Sequence, residues 1–208
     1  MTSNKVTVLM PTFNRSAFLV ESIESLLAQT HPIHKIIIIN DGSTDDTLEV
    51  LKAYEGRVDI ISKPNGGKAA ALNMALQLVP EGLVWIFDDD DLARPDGLET
   101  LMALLSGNPE ANMAYGRHER FKVDPDGSVR ILGDGYWRDC ESDEFLAATL
   151  EDMFAHQPGM IVRKELYDLV GPFDETLVRS QDYDMLIRLA RVATPVSTVA
   201  YIFRQRIH

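Results

Sequence analysis

Four consecutive isoleucines, Ile36 to Ile39, set the strongest limit on how this chain folds. Side chains alternate across a strand, so a strand of this kind must bury both of its faces. A sheet covered by helices on both sides meets that demand. The surrounding pattern agrees. Val6 to Met10 reads as a strand, stopped by Pro11. Ser16 can cap a helix with an apolar stripe at Leu19, Ile23, Leu26 and Leu27. The isoleucine strand runs from Lys35 to Asn40. Ser43 can cap a helix reaching about Tyr54. Val58 to Ile61 is a third strand, and Gly66-Gly67 opens a helix to about Val79. Leu83 to Phe87 is a fourth strand. Leu98, Leu101, Met102 and Leu105 line a further helix. Strand–helix alternation at this spacing predicts an α/β fold with a mostly parallel central sheet flanked by helices.

The second half is less regular. Asn112 to Val123 reads as a strand, and Asp124-Pro125-Asp126-Gly127 as a turn into a return strand, Ser128 to Leu132. Gly133 to Glu141 reads as a mobile loop, Gln181 to Ala193 as a helix, and Val196 to Phe203 as a last strand. The 208 residues suit one domain, 1–208, with one sizeable core. The stop at Arg204 to His208, directly after the last strand, leads us to expect a fragment of a longer protein.

Charge excludes several classes. The net charge is −12, whereas nucleic-acid binding wants a basic face. Simple electrostatic adhesion to anionic lipid is disfavoured for the same reason. One cysteine, Cys140, allows neither an internal disulfide nor a cysteine-built metal site, and fits a reducing, cytoplasmic setting. Met1 to Lys5 carries no signal-peptide pattern, and no apolar stretch reaches the roughly 18 residues of a membrane span. Peripheral attachment at the inner face of a membrane remains compatible.

In parallel sheets, ligands sit at the C-terminal ends of the strands. Three polar clusters fall there: Thr12 to Arg15, Asp41 to Asp46, and Asp88 to Asp91. The last follows the buried run ending at Phe87. In an extended chain Asp88 and Asp90 share one face, Asp89 and Asp91 the other. Paired carboxylates at a strand mouth suit Mg2+ or Mn2+; the bland alternative is a solvated acidic loop. Asp41, before Gly42, can accept hydrogen bonds from a base or sugar, or can belong to an ordinary turn. Gly66-Gly67-Lys68 can present backbone N–H groups and an ammonium to an anion, or simply start a helix. It lacks the spacing of a Walker A loop. Asp182 can act as a general base or cap its helix, and Asp184 can pair with Arg188 four residues on. His156 is a candidate substrate contact or a packed histidine. Trp137 can stack on a sugar or close the core.

Taken in order, these motifs resemble the family 2 glycosyltransferases, inverting enzymes of the GT-A fold. Pro11-Thr12-Phe13-Asn14-Arg15 is similar to that family's opening motif. Asn40 to Asp45 is similar to its second, whose aspartate, here Asp41, holds the nucleotide base. Gly66-Gly67-Lys68 with Ala71-Leu72-Asn73 resembles the third. Asp88 to Asp91 is similar to the DxD motif, with Asp88 its first aspartate and Asp90 the metal ligand. Val170 to Glu175 followed by Gln181-Asp182-Tyr183-Asp184 looks like the acceptor-side segment. There Gln181 replaces the family's glutamate and Asp182 keeps the catalytic aspartate. Tyr201 to His208 is similar to a tail whose histidine lies near metal and diphosphate.

The resemblance implies a metal-dependent, inverting transfer of a sugar from a nucleotide donor, expected to be a UDP-sugar, in bacterial polysaccharide or glycoconjugate synthesis. It implies nucleotide contacts from Pro11, Thr12, Phe13, Asn14, Arg15, Asp41, Gly67, Lys68, Asp88 and Asp89. Asp90, Asp88 and His208 would face Mn2+ or Mg2+. Trp137, His156 and Gln181 would face the sugars, and Asp182 would be the base. The expected partners are a nucleotide-sugar and a saccharide or lipid-linked acceptor. Three other readings compete with this one. A sugar nucleotidyltransferase wants glycines after the first strand, where Pro11 to Arg15 has none. A receiver domain wants an acidic pair there. A degenerate nucleotide-sugar-binding domain of a larger assembly fits the fold but not the retained acids.

Overall fold

A computed structural model describes residues 3–140 and 142–208. The first half follows the expected alternation: β1 (Val6–Thr12), α1 (Ser16–Leu27), β2 (Lys35–Asn40), α2 (Thr47–Lys52), β3 (Asp59–Ser62), α3 (Lys68–Gln77) and β4 (Leu83–Ile86). β5 (Leu92–Ala93), α4 (Gly97–Gly107), β6 (Met113–Val123) and β7 (Val129–Asp134) follow. Then come α5 (Phe145–Glu151), a 3-10 turn (Gln157–Gly159), β8 (Met160–Arg163), α6 (Lys164–Val170), α7 (Gln181–Ala190) and β9 (Pro195–Arg206).

All the strands join one open sheet in the order β3-β2-β1-β4-β8-β6-β9-β5, with β7 beside the outer half of β6. The first four are parallel, as right-handed strand–helix–strand connections require. Beyond β4 the sheet is mixed. β8 runs antiparallel to both β4 and β6, β7 returns from β6 through the Asp124–Gly127 turn, and β9 lies parallel to β6. The isoleucines are buried on both faces, as their run demands. Ile37 and Ile39 belong to the core layer that includes α3, α5 and α7; Ile36 and Ile38 belong to the opposite layer, which includes α1 and α4.

Local differences from the sequence reading have local causes. Pro11 does not end β1. Its missing N–H lies on the β4 side, where pairing already stops at Leu9↔Ile86, so no ladder bond is lost. Ser16 and Ser43 do not cap. The Ser16 hydroxyl donates to Asp45 at 2.9 Å, and the Ser43 hydroxyl accepts from the Asn14 N–H at 3.0 Å. Both tie the β1–α1 loop to the β2–α2 loop. The segment from Leu92 forms β5 and pairs with the end of β9. The stretch after Leu132 is anchored. Gly133 and Asp134 belong to β7, the Tyr115 hydroxyl donates to the Arg138 carbonyl at 3.1 Å, and Cys140 is buried. Glu141 lies outside the described residues.

His118, in the middle of β6, is almost wholly buried. Its ring stacks on Phe203 at 4.9 Å and meets His156 edge-on at 4.7 Å. Gly135 crosses so close that any Cβ there would run into the imidazole. Burial, helped by His156 and Arg120, lowers the His118 pKa to about 4. The unfolded chain therefore holds the extra proton between about pH 4 and 6.5, and the fold loses stability as pH falls through that window. The loss should be on the order of 3 kcal/mol. Denaturant titrations over this pH range should show a shallower slope for His118→Asn than for wild type; parallel curves would refute the assignment.

Candidate active site

The C-terminal ends of β1, β2 and β4 and the start of α3 enclose a cavity of about 530 Å³. Pro11, Thr12, Phe13 and Arg15 come from β1 and its loop, and Asp41 from β2. Asn65, Gly67 and Lys68 open α3, and Asp88, Asp89 and Asp90 follow β4. The three polar clusters thus meet in one place.

The acidic run is a turn, closed by the Asp91 N–H to the Asp88 carbonyl at 3.4 Å, and not the extended chain assumed from sequence. The turn sends three carboxylates to the cavity and buries the fourth. Asp91 accepts the Arg206 N–H at 2.9 Å. Cationic and hydrogen-bonding side chains already offset the crowding. Of the cations, Arg15 lies 3.7 Å from both Asp89 and Asp90 and Lys68 2.8 Å from Asp88, and His208 Nε2 is hydrogen-bonded to Asp90 Oδ2 at 2.8 Å. Like-charge repulsion alone therefore does not require a metal here. Burial first, then Asp90 and Asp88, raises Asp89 to about pH 7 against the pull of Thr12 and Arg15. Among the described residues no three His, Cys, Asp or Glu side chains converge as a metal cluster. Asp88, expected beside Asp90 and His208, turns to Lys68 instead.

Asp41 is buried and heavily engaged. Oδ1 accepts from Lys63 at 2.5 Å and the Gly66 N–H at 3.0 Å; Oδ2 accepts the Gly67 N–H at 2.7 Å. A carboxylate offers about four acceptor sites, so Oδ2 keeps one for a ligand N–H. Gly42 has φ +76°, and a Cβ there would sit 2.7 Å from the Asn65 nitrogen, so the glycine lets the two loops touch.

Lys68, the first residue of α3, reaches two carboxylates at once: Asp88 and Asp182, each at 2.8 Å. Burial would lower its pKa, but the two carboxylates override this and raise it. Asp182 is second in α7, and its Oδ1 is buried without a partner among the described residues. The N-cap position belongs to Ser180, so the capping alternative for Asp182 falls. Burial raises the Asp182 pKa, Lys68 opposes this, and Asp88 adds to it. His156 feels both Asp88 and Asp182, though burial keeps its own pKa low.

Other candidates stand apart from the cavity. Asn14 is held at φ 55° with its Oδ1 accepting the Thr44 N–H at 2.8 Å, so it staples loops and does not line the cavity. Trp137 packs against the core under the Arg117 guanidinium, 5.8 Å from its ring centre, with its indole N–H buried and unpaired. Gln181 opens α7 with a buried, unpaired Oε1. Asp184 does pair with Arg188, at 2.6 Å, and Arg188 also holds the carbonyls of Val170, Gly171 and Pro172. Sequence reading missed three supports. Lys63 neutralises Asp41. Asn73 exchanges hydrogen bonds with Phe173 at 2.8 and 3.0 Å. Arg206 holds the acidic turn. Asn73 and Arg206 each lie within a recognised motif, whereas Lys63 carried no signal.

The family profile "Glycosyl transferase family 2" matches residues 7–171. The chain belongs to that family. It is 32% identical over 191 residues to a chondroitin synthase of Pasteurella multocida (strain Pm70), covering 90% of this chain but 19% of that protein. The chain thus spans about a fifth of this relative's length. S. aureus TarS 1-349, solved in complex with UDP-GlcNAc, superposes with a TM-score of 0.76 at 20% identity, over 98% of this chain and 59% of that one. A mannosyltransferase from Pyrobaculum calidifontis, solved with GDP-Man and Mn2+, gives 0.69 at 18% identity, over 97% and 56%. The fold is that of the GT-A glycosyltransferases.

The Asp41 anchor has a measurable consequence. Asp41→Asn presents an N–H₂ to one of the donors that the carboxylate now accepts, leaving it unpaired. Thermal denaturation should show a loss of about 1–3 kcal/mol. Unchanged stability would show that the loop does not depend on this carboxylate.

Proposed function

We propose that the chain is the catalytic domain of an inverting, metal-dependent glycosyltransferase that moves a sugar from a nucleoside diphosphate donor to an acceptor hydroxyl. The Lys68 bridge carries this reading. It brings Asp182 within one ammonium of the acidic turn, so a candidate base stands beside a candidate diphosphate site. The UDP-GlcNAc complex of TarS supports a UDP-sugar donor, and the chondroitin synthase likeness supports a growing polysaccharide as acceptor.

The residues fit a divalent ion. Asp90 Oδ2 and His208 Nε2 converge to 2.8 Å, and a carboxylate oxygen with an imidazole nitrogen is a donor pair that Mn2+ accepts. When bound with diphosphate oxygens, such an ion supplies Lewis-acid neutralisation of the leaving group. The rest falls to the protein. Asp41 Oδ2 has one acceptor site for a base N–H. Arg15 and Lys68 place positive charge on the cavity wall. Asp182 accepts the hydroxyl proton as the acceptor oxygen attacks the anomeric carbon, opposite the departing diphosphate. Its raised pKa suits that task better than an ordinary aspartate's would.

Asp182→Asn keeps a hydrogen-bond acceptor for Lys68 but cannot take a proton. Hydrolysis of UDP-GlcNAc, with water standing in for the acceptor, should fall by about 10²–10⁴-fold. Donor affinity should hold, and the melting temperature should fall modestly, because Lys68 loses the charge of one of its two carboxylates. Wild-type turnover in this variant would remove Asp182 from the chemistry and point to Asp184.

A further inference from the structure

Arg206 is nearly buried, at the end of β9, and three of its N–H-bearing nitrogens are directed at the acidic turn or at α1. Its backbone N–H donates to Asp91 Oδ1 at 2.9 Å, and its Nε to the Asp90 carbonyl at 2.9 Å. One terminal nitrogen donates to Glu21 on α1 at 2.6 Å. The guanidinium carbon lies over two rings, 5.1 Å from the centre of Phe18 and 4.6 Å from that of Phe121. Two residues on, His208 reaches the Asp90 carboxylate and rests edge-on against Phe18 at 5.0 Å. Between them, the Ile207 N–H donates to the Phe121 carbonyl at 2.8 Å. The turn is thus held on one side by β4 and on the other by the same tail that carries His208.

We propose that Arg206 is a positioning residue that fixes the Asp90 carboxylate and His208 relative to each other and toward the donor diphosphate. This rests on the reading that Asp90 and His208 face the metal and diphosphate. A lysine keeps the charge, but a single ammonium cannot span the Asp90 carbonyl and Glu21 or offer a planar face to the Phe18 and Phe121 rings. Loss of such support behind metal-binding side chains typically costs about 10–100-fold in metal affinity.

The test compares wild type, Arg206→Lys and Glu21→Ala by calorimetry with uridine, with UDP in Mn2+ and with UDP in EDTA. Amide hydrogen exchange is followed at residues 88–91. Arg206→Lys should leave uridine affinity unchanged, weaken UDP in Mn2+ by about 10–100-fold, and speed exchange in the turn. Glu21→Ala should shift UDP affinity in the same direction by less. Wild-type UDP affinity in Mn2+ for Arg206→Lys, or an equal loss for uridine, would overturn the proposal. If Arg206→Lys does not fold, Glu21→Ala decides by the same criteria. If wild type binds UDP equally in Mn2+ and EDTA, the metal reading fails on its own. Exchange in the turn then decides for Arg206: faster in Arg206→Lys supports it, and unchanged refutes it.

Discussion

One ammonium holds the two halves of this molecule together where the chemistry is expected. Lys68 stands between Asp88, at the end of a strand in the parallel half, and Asp182, at the start of a helix in the mixed half. The arrangement depends on all three charges. Without Lys68, two carboxylates would face each other in a partly buried site, and burial would drive a proton onto one of them. Without either carboxylate, the ammonium would bear its desolvation with half its compensation. Placing Lys68 at the opening of α3 fixes where that helix starts. That in turn sets the Gly66 and Gly67 N–H groups against Asp41.

The same logic runs through the acidic turn. Each of its four carboxylates meets a different cationic or N–H partner, contributed by α1's leading loop, α3 or the tail after β9. The charges that a donor diphosphate and its metal would meet are thus already held in a defined geometry by side chains far apart in sequence. Pre-set dipoles and charges of this kind need little reorganisation when a ligand arrives. The long β9 strand is central, because one end of it pairs with β5 just beyond the turn and its last residues reach back over the turn itself.

Much of this was legible in the sequence because it rests on short-range rules. The isoleucine run, the helix stripes of α1 and α4, and the polar clusters at three strand ends all follow from period and position. Ten of the expected site residues line one cavity for that reason. What escaped depends on distant partners. Nothing near Ser16 or Ser43 says that their hydroxyls would serve another loop and not a helix end. Nothing near Asp88 says that Lys68 would claim it in place of an ion. The extended geometry assumed for Asp88 to Asp91 failed because the chain turns at once to reach β5. α5 and α6 are seven-residue helices too short to show a clear stripe. Arg206 sits in a tail that the sequence singled out only for its histidine, and its own role appears only when Phe18, Phe121 and Glu21 are seen around it.

The central claim is that the ends of β1, β2 and β4 form a nucleoside diphosphate site completed by a divalent ion. Calorimetry of UDP with the wild-type chain, in Mn2+ and in EDTA, tests it most directly. The account predicts clear binding in Mn2+ and a loss of most of that affinity in EDTA, with free uridine indifferent to the metal. Equal UDP affinity under both conditions, or no binding under either, would contradict it.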